Sequence, residues 1–159
     1  MCASATTLEA AVSPSIRRIT IAIATFAVLL LVLATPAAAG GRPYTIDLTG
    51  ANEVTAEGVP NQGDPDGSGT ASLWINPGLG EVCWAIEVSG VEPIMMAHIH
   101  VGASTTTGPV VVPLNPYAGG CVAVERDLAL ALITNPGGYY VNVHNQPYPA
   151  GALRGQLSR

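Results

Sequence analysis

"GYYVNVHNQPYPAGALRGQL", residues 138–157, reads as two strands joined by a turn. In its first half Tyr139, Val141 and Val143 alternate with Tyr140, Asn142 and His144. In its second half Leu153, Gly155 and Leu157 alternate with Ala152, Arg154 and Gln156. Side chains along a strand point to opposite faces in turn, so each half offers one apolar face and one polar face. Between them, "NQPYPA" carries two prolines, which withhold the backbone donors that either strand would need to continue. The stretch is therefore an antiparallel hairpin, and its two strands are neighbours.

Short alternating runs of the same kind fill the chain before it. They are "YTIDL" (44–48), "TASLWI" (70–75), "EVCWAIEVSG" (81–90), "MAHIHVG" (96–102), "PVVVPL" (109–114) and "CVAVE" (121–125). In the third run Val82, Trp84, Ile86 and Val88 share one face, and Cys83, Ala85 and Glu87 take the other. Turn signals separate the runs, notably "PNQGDPDGSG" (60–69) and "NPGLG" (76–80). One segment is helical in pattern, "RDLALALITN" (126–135), with Asp127 as its expected cap and Pro136 beyond its end. About seven or eight short strands and one short helix imply an all-β domain. The expected architecture is an antiparallel Greek-key sandwich or barrel, immunoglobulin-like or superoxide-dismutase-like. Trp74 and Trp84 alternate with apolar neighbours and are expected in the core, whereas Tyr140 and Tyr148 are expected at the surface.

The start of the chain reads differently. Arg17-Arg18 precedes "ITIAIATFAVLLLVL" (19–33), and "ATPAAA" (34–39) follows. A basic segment, an apolar run and a small-residue cleavage site define a secretory signal peptide. Residues 1–39 are expected to be that signal and residues 40–159 the mature domain. The apolar run is shorter than the roughly 20 residues of a membrane span, and an uncleaved N-terminal anchor is the other reading. The terminal "LRGQLSR" has no hydrophobic tail, so a secreted, extracellular protein without a membrane attachment is expected once the signal is removed.

Residues 40–159 contain no lysine, four arginines and ten acidic side chains. That balance is the wrong sign for nucleic acid or anionic lipid, both of which attract basic surfaces. Cys83 and Cys121 are the two cysteines beyond the signal. An even count in an exported chain implies one disulfide; two buried thiols in a reducing compartment are the alternative. Their spacing fits no zinc motif.

The chain has three histidines, and all three fall on polar strand faces. Met96, His98 and His100 share one face of their strand, and Ala97, Ile99 and Val101 share the other. An H-x-H pair sets two imidazoles about 6–7 Å apart along the backbone, and both can reach one ion at about 2.0–2.1 Å. If this strand lies beside the 138–157 hairpin, His144 completes a three-histidine set suited to copper or zinc. Met96 would add a thioether for Cu(I). Arg154 would keep the histidines neutral and attract an anion, with Asn142 and Gln156 around it and Glu53 as a carboxylate partner. The competing reading has the same polar side chains hydrogen-bonded to covering loops.

With these residues in place, the sequence resembles the CHRD domain, the module named after its repeats in the extracellular protein chordin. The matching stretches are "LTGANEV" (48–54), "DPDGSGTASL" (64–73), "EVCWAIEVSG" (81–90), "AHIHVGASTTTGPVVVPL" (97–114) and "NPGGYYVNVHNQPYPAGALRGQL" (135–157). The resemblance spans nearly all of residues 40–159 and implies an immunoglobulin-like or barrel domain outside the cell, but no reaction. Asn145 stands where the family pattern often has threonine. A narrower likeness links His98, His100, His144 and Arg154 to the copper site of copper–zinc superoxide dismutase. The chain lacks the further histidines of that enzyme's two-metal centre, so the likeness extends to a copper-type half-site only.

Two other features weigh on function. Asp64, Asp66 and Ser68 imitate the start of a calcium loop, but position 12 is Ile75 rather than glutamate. No nucleophile motif or phosphate loop is present in the sequence. The leading expectation is a secreted, non-catalytic CHRD module that binds an extracellular or envelope partner. The alternative is a copper- or zinc-binding protein using His98, His100 and His144, with minor redox activity.

Overall fold

The computed structural model describes residues 40–158 except Glu92. The expected signal peptide therefore lies outside the described residues. Eight strands follow in order: β1 (Arg42–Thr49), β2 (Ser68–Asn76), β3 (Glu81–Ser89), β4 (Ile94–Val101), β5 (Val110–Leu114), β6 (Gly119–Ala123), β7 (Tyr139–Asn145) and β8 (Leu153–Gln156). Among the described residues one α-helix, α1 (Arg126–Thr134), lies between β6 and β7. All strands join one antiparallel sheet in the order β5-β4-β7-β8-β1-β2-β3-β6. Its two end strands, β5 and β6, approach each other, so the sheet curls into a nearly closed barrel. The all-β expectation holds, and the barrel is the form it takes.

The apolar faces read from the sequence line the interior. Ile46, Leu48, Leu73, Ile75, Val82, Ile99, Val141, Val143 and Leu153 are buried there. Each such side chain contributes about 1.5–3 kcal/mol by leaving water, so this interior supplies most of the drive to fold. Helix α1 adds Ala129 and Leu132 to the same core. Asp127 sits within its first turn rather than at the cap, which is Glu125, and no side chain caps the helix. Asp127 instead favours the helix through the dipole at its N-terminus.

Trp84 is in the core, with its indole N–H donating to the Pro116 carbonyl at 3.0 Å. Trp74 is 37% exposed, contrary to expectation. It occupies the outward side of β2, whose inward side holds Ala71, Leu73 and Ile75. Tight turning between β2 and β3 is achieved at Gly80, whose φ of 63° lies in the left-handed region that glycine tolerates. Cys83 stands directly opposite Cys121 in the β3–β6 register, and the two form a disulfide.

Candidate metal centre

Strand β7 lies between β4 and β8. The register sets Met96 opposite His144, His98 opposite Asn142 and His100 opposite Tyr140. On its other side β7 sets Asn142 opposite Arg154 and Tyr140 opposite Gln156. The polar faces of the three strands thus form one continuous surface. The adjacency of the histidine strand to the hairpin, required by the sequence reading, is observed.

That surface lies outside the barrel interior yet is largely shielded from solvent. The segments 50–63 and 102–108 fold across it. Gly50–Asn52 forms a short 3-10 turn, and Val54 bridges Pro60. Glu53, Asn142, His144 and Arg154 are buried as a result, and Tyr140, expected at the surface, is 2% exposed. Tyr148 is half-buried against the core.

Arg154, Asn142 and Gln156 each reach a partner in the covering loops, while Asn142 Oδ1, Arg154 Nη1 and Gln156 Oε1 are buried without a hydrogen bond. Arg154 Nη2 donates to the carbonyls of Ala103 (2.7 Å) and Thr106 (2.9 Å). Arg154 Nη1 lies 3.8 Å from Glu53 Oε1, and its guanidinium stacks over the Tyr140 ring at 3.5 Å. Asn142 Nδ2 donates to Glu53 Oε2 at 2.6 Å. Gln156 Nε2 holds the carbonyls of Gly102, Gly137 and Tyr139. Burial pushes the Glu53 carboxyl above its usual range against the opposing pull of these partners. The Glu53 carboxyl thus lies against Asn142 and Arg154 on the polar face. Arg154 ties the 102–108 loop to the polar face.

The three histidines converge beside this cluster. Their ring centroids are 5.2–6.1 Å apart, and one nitrogen of each lies within 4.8 Å of the others. His144 Nδ1 donates to the Pro149 carbonyl at 3.1 Å, which leaves its Nε2 lone pair free. His100 Nδ1 donates to the Gly108 carbonyl at 2.8 Å, and its Nε2 is buried without a partner. Its ring stacks on Tyr140 at 5.0 Å, so the ring plane is fixed from one side as well. His98 Nδ1 lies 3.3 Å from His144 Nε2.

These contacts match the supports that a metal site needs. A ligating histidine ordinarily donates its second N–H to a carbonyl, which fixes tautomer and orientation. His144 and His100 both do so. Two bonds of about 2.0–2.1 Å meeting at a tetrahedral angle separate their nitrogens by about 3.3–3.4 Å; the His98–His144 pair is spaced at 3.3 Å. Without an ion, the proton of His98 Nδ1 fills that gap by donating to His144 Nε2.

The electrostatics also favour neutral, ligating imidazoles. Desolvation, followed by the Coulomb effect of the neighbouring imidazoles, lowers the pKa of His144 to about 4, with the Pro149 hydrogen bond opposing it. Burial and then His100 lower that of His98. Both shifts come from burial and crowding, not from Arg154 as the sequence reading held.

Sequence reasoning found all three histidines. It missed Gly108 and Pro149, whose carbonyls orient two of them, because a backbone acceptor leaves no mark in residue identity. It placed Tyr140 on the surface, where only its position opposite His100 could have signalled a packing role. The calcium-like segment forms an Asx turn, with Asp66 N donating to Asp64 Oδ1 at 3.2 Å. Among the described residues it contributes to no group of converging ligands. Glu81, Cys83 and Cys121 do converge, but both sulfurs are consumed in the disulfide.

An antiparallel β-barrel with a loop-covered polar face and a histidine cluster defines a small disulfide-bonded all-β domain. Residues 44–157 match the CHRD domain, and the chain belongs to that family. No curated protein and no solved structure shows significant similarity to it.

Proposed function

We propose that this is a secreted, non-catalytic CHRD module whose ligand is a single copper or zinc ion held by His98, His100 and His144. One observation carries the reading: two imidazoles have their Nδ1–H groups tied to backbone carbonyls, His144 Nε2 lies 3.3 Å from His98 Nδ1, and one nitrogen of each of the three histidines lies within 4.8 Å of the others. A three-imidazole set suits either ion. Export is supported by the signal-like residues 1–39 and by the disulfide, which persists in oxidising compartments. Among the described residues no helix is long and apolar enough to cross a membrane.

Equilibrium dialysis followed by elemental analysis tests this directly. The purified protein should retain one copper or zinc ion per chain at micromolar free metal. His144→Ala should weaken retention by at least about tenfold, the scale on which even supporting groups act. Retention of no metal, or equal retention by the variant, would sink the proposal.

A further inference from the structure

A cleft of about 340 Å³ opens beside His98, lined by Met95, Met96, Pro113, Pro116 and Tyr117 among others. Met95 is 58% exposed and Met96 44%. They are the only methionines beyond residue 1, and methionine is ordinarily a buried residue type. Strict alternation would send their side chains to opposite faces of β4. The β4–β7 register instead shifts between Ile94 and Met96, which marks a β-bulge. A bulge adds one residue to a strand and re-aims its side chain, and both methionines line the same cleft. Met96 also stands directly opposite His144 and two residues before His98 on the same face.

We propose that the centre is selective for cuprous copper: Met96 supplies a thioether beside His98 and His144, and the Met95–Met96 pair receives the ion at the mouth of the cleft. This rests on the three-histidine centre holding a metal. Thioether sulfur is a soft donor that favours Cu(I), while imidazole serves copper and zinc alike. The methionines therefore add preference where the histidines alone give none. The exposure of the pair has a use on this account, since Cu(I) can pass from solvent to sulfur and from sulfur to imidazole without changing oxidation state.

The test compares the protein with the double variant Met95→Leu/Met96→Leu, which keeps apolar volume and removes both sulfurs. Cu(I) affinity is measured anaerobically by competition with bicinchoninate, and Zn(II) affinity by competition with a fluorescent chelator. Cu(I) affinity should fall at least about tenfold further than Zn(II) affinity. Equal losses, or no loss of Cu(I) affinity, would overturn the proposal. A parent protein that takes Zn(II) but not Cu(I) overturns this inference and leaves the three-histidine centre standing. A parent protein that takes neither ion overturns both.

Discussion

Arg154 shows how a single residue organises the polar face. It is 1% exposed, yet it meets two loop carbonyls, the Glu53 carboxylate and the Tyr140 ring. Removing one member of a buried charge pair leaves the other uncompensated, at a cost of about 3–5 kcal/mol. Arg154→Ala should lower unfolding free energy by that amount in urea titrations; a loss well under 1 kcal/mol would show that the tie is not needed. His144 has a second signature in the metal-free protein. Its folded pKa of about 4 lies below the ordinary histidine value of 6.5, so within that window the unfolded chain binds a proton that the folded chain does not. Stability should therefore be full above about pH 6.5 and decline as pH falls toward 4, by up to about 3 kcal/mol from this group. Chelator-treated protein unfolded in urea at pH 7 and pH 4.5 measures the slope, and His144→Asn should flatten it. Alternation identified which side chains share a face, because that depends only on strand geometry. It was silent on what lies over the face: Glu53 reaches Asn142 across 89 residues of chain, and nothing local encodes that contact.

At the scale of elements, strands were legible and their covers were not. The alternating runs correspond to β1 through β8 because one side of each strand must enter the barrel interior. Trp74 misled because its apolar character suggests burial while its position in β2 points outward. The loop over the polar face depends on a close approach at Gly151, where any Cβ would collide with the Glu53 carboxylate and the Asn142 amide. Gly151→Ala should separate that pair, destabilising the protein by about 1–3 kcal/mol, the cost of a buried polar group left without its partner. Thermal and urea unfolding of the variant would check this, and a fully stable variant would contradict it. The disulfide acts on a different element. It ties the end strand β6 to β3 with 38 residues of separation. In the chain-entropy description a loop of that length contributes about 4 kcal/mol. Reduction should lower the urea midpoint accordingly and speed hydrogen exchange in residues 119–123, where the barrel seam lies. Unchanged exchange there would mean that β6 holds without it.

For the molecule as a whole, the barrel separates two tasks. The apolar interior holds the strands, and the outer face of β4, β7 and β8 carries the polar side chains under loops anchored by Arg154, Asn142 and Gln156. His100 and His144 are thereby held by backbone carbonyls before any ligand arrives, so on the proposed reading an ion would meet a partly preorganised set. The sequence showed the histidines and their strand faces. It could not show convergence, which depends on β7 being inserted between β4 and β8 by the crossing connection from β6. The most direct test is a crystal structure of the protein grown with copper or zinc, with anomalous scattering measured at the metal edge. The expected result is a single peak among the three rings, about 2.0–2.1 Å from His144 Nε2, His100 Nε2 and a nitrogen of His98. A structure with no peak there, and with His98 Nδ1 still hydrogen-bonded to His144 Nε2 at saturating metal, would contradict the account.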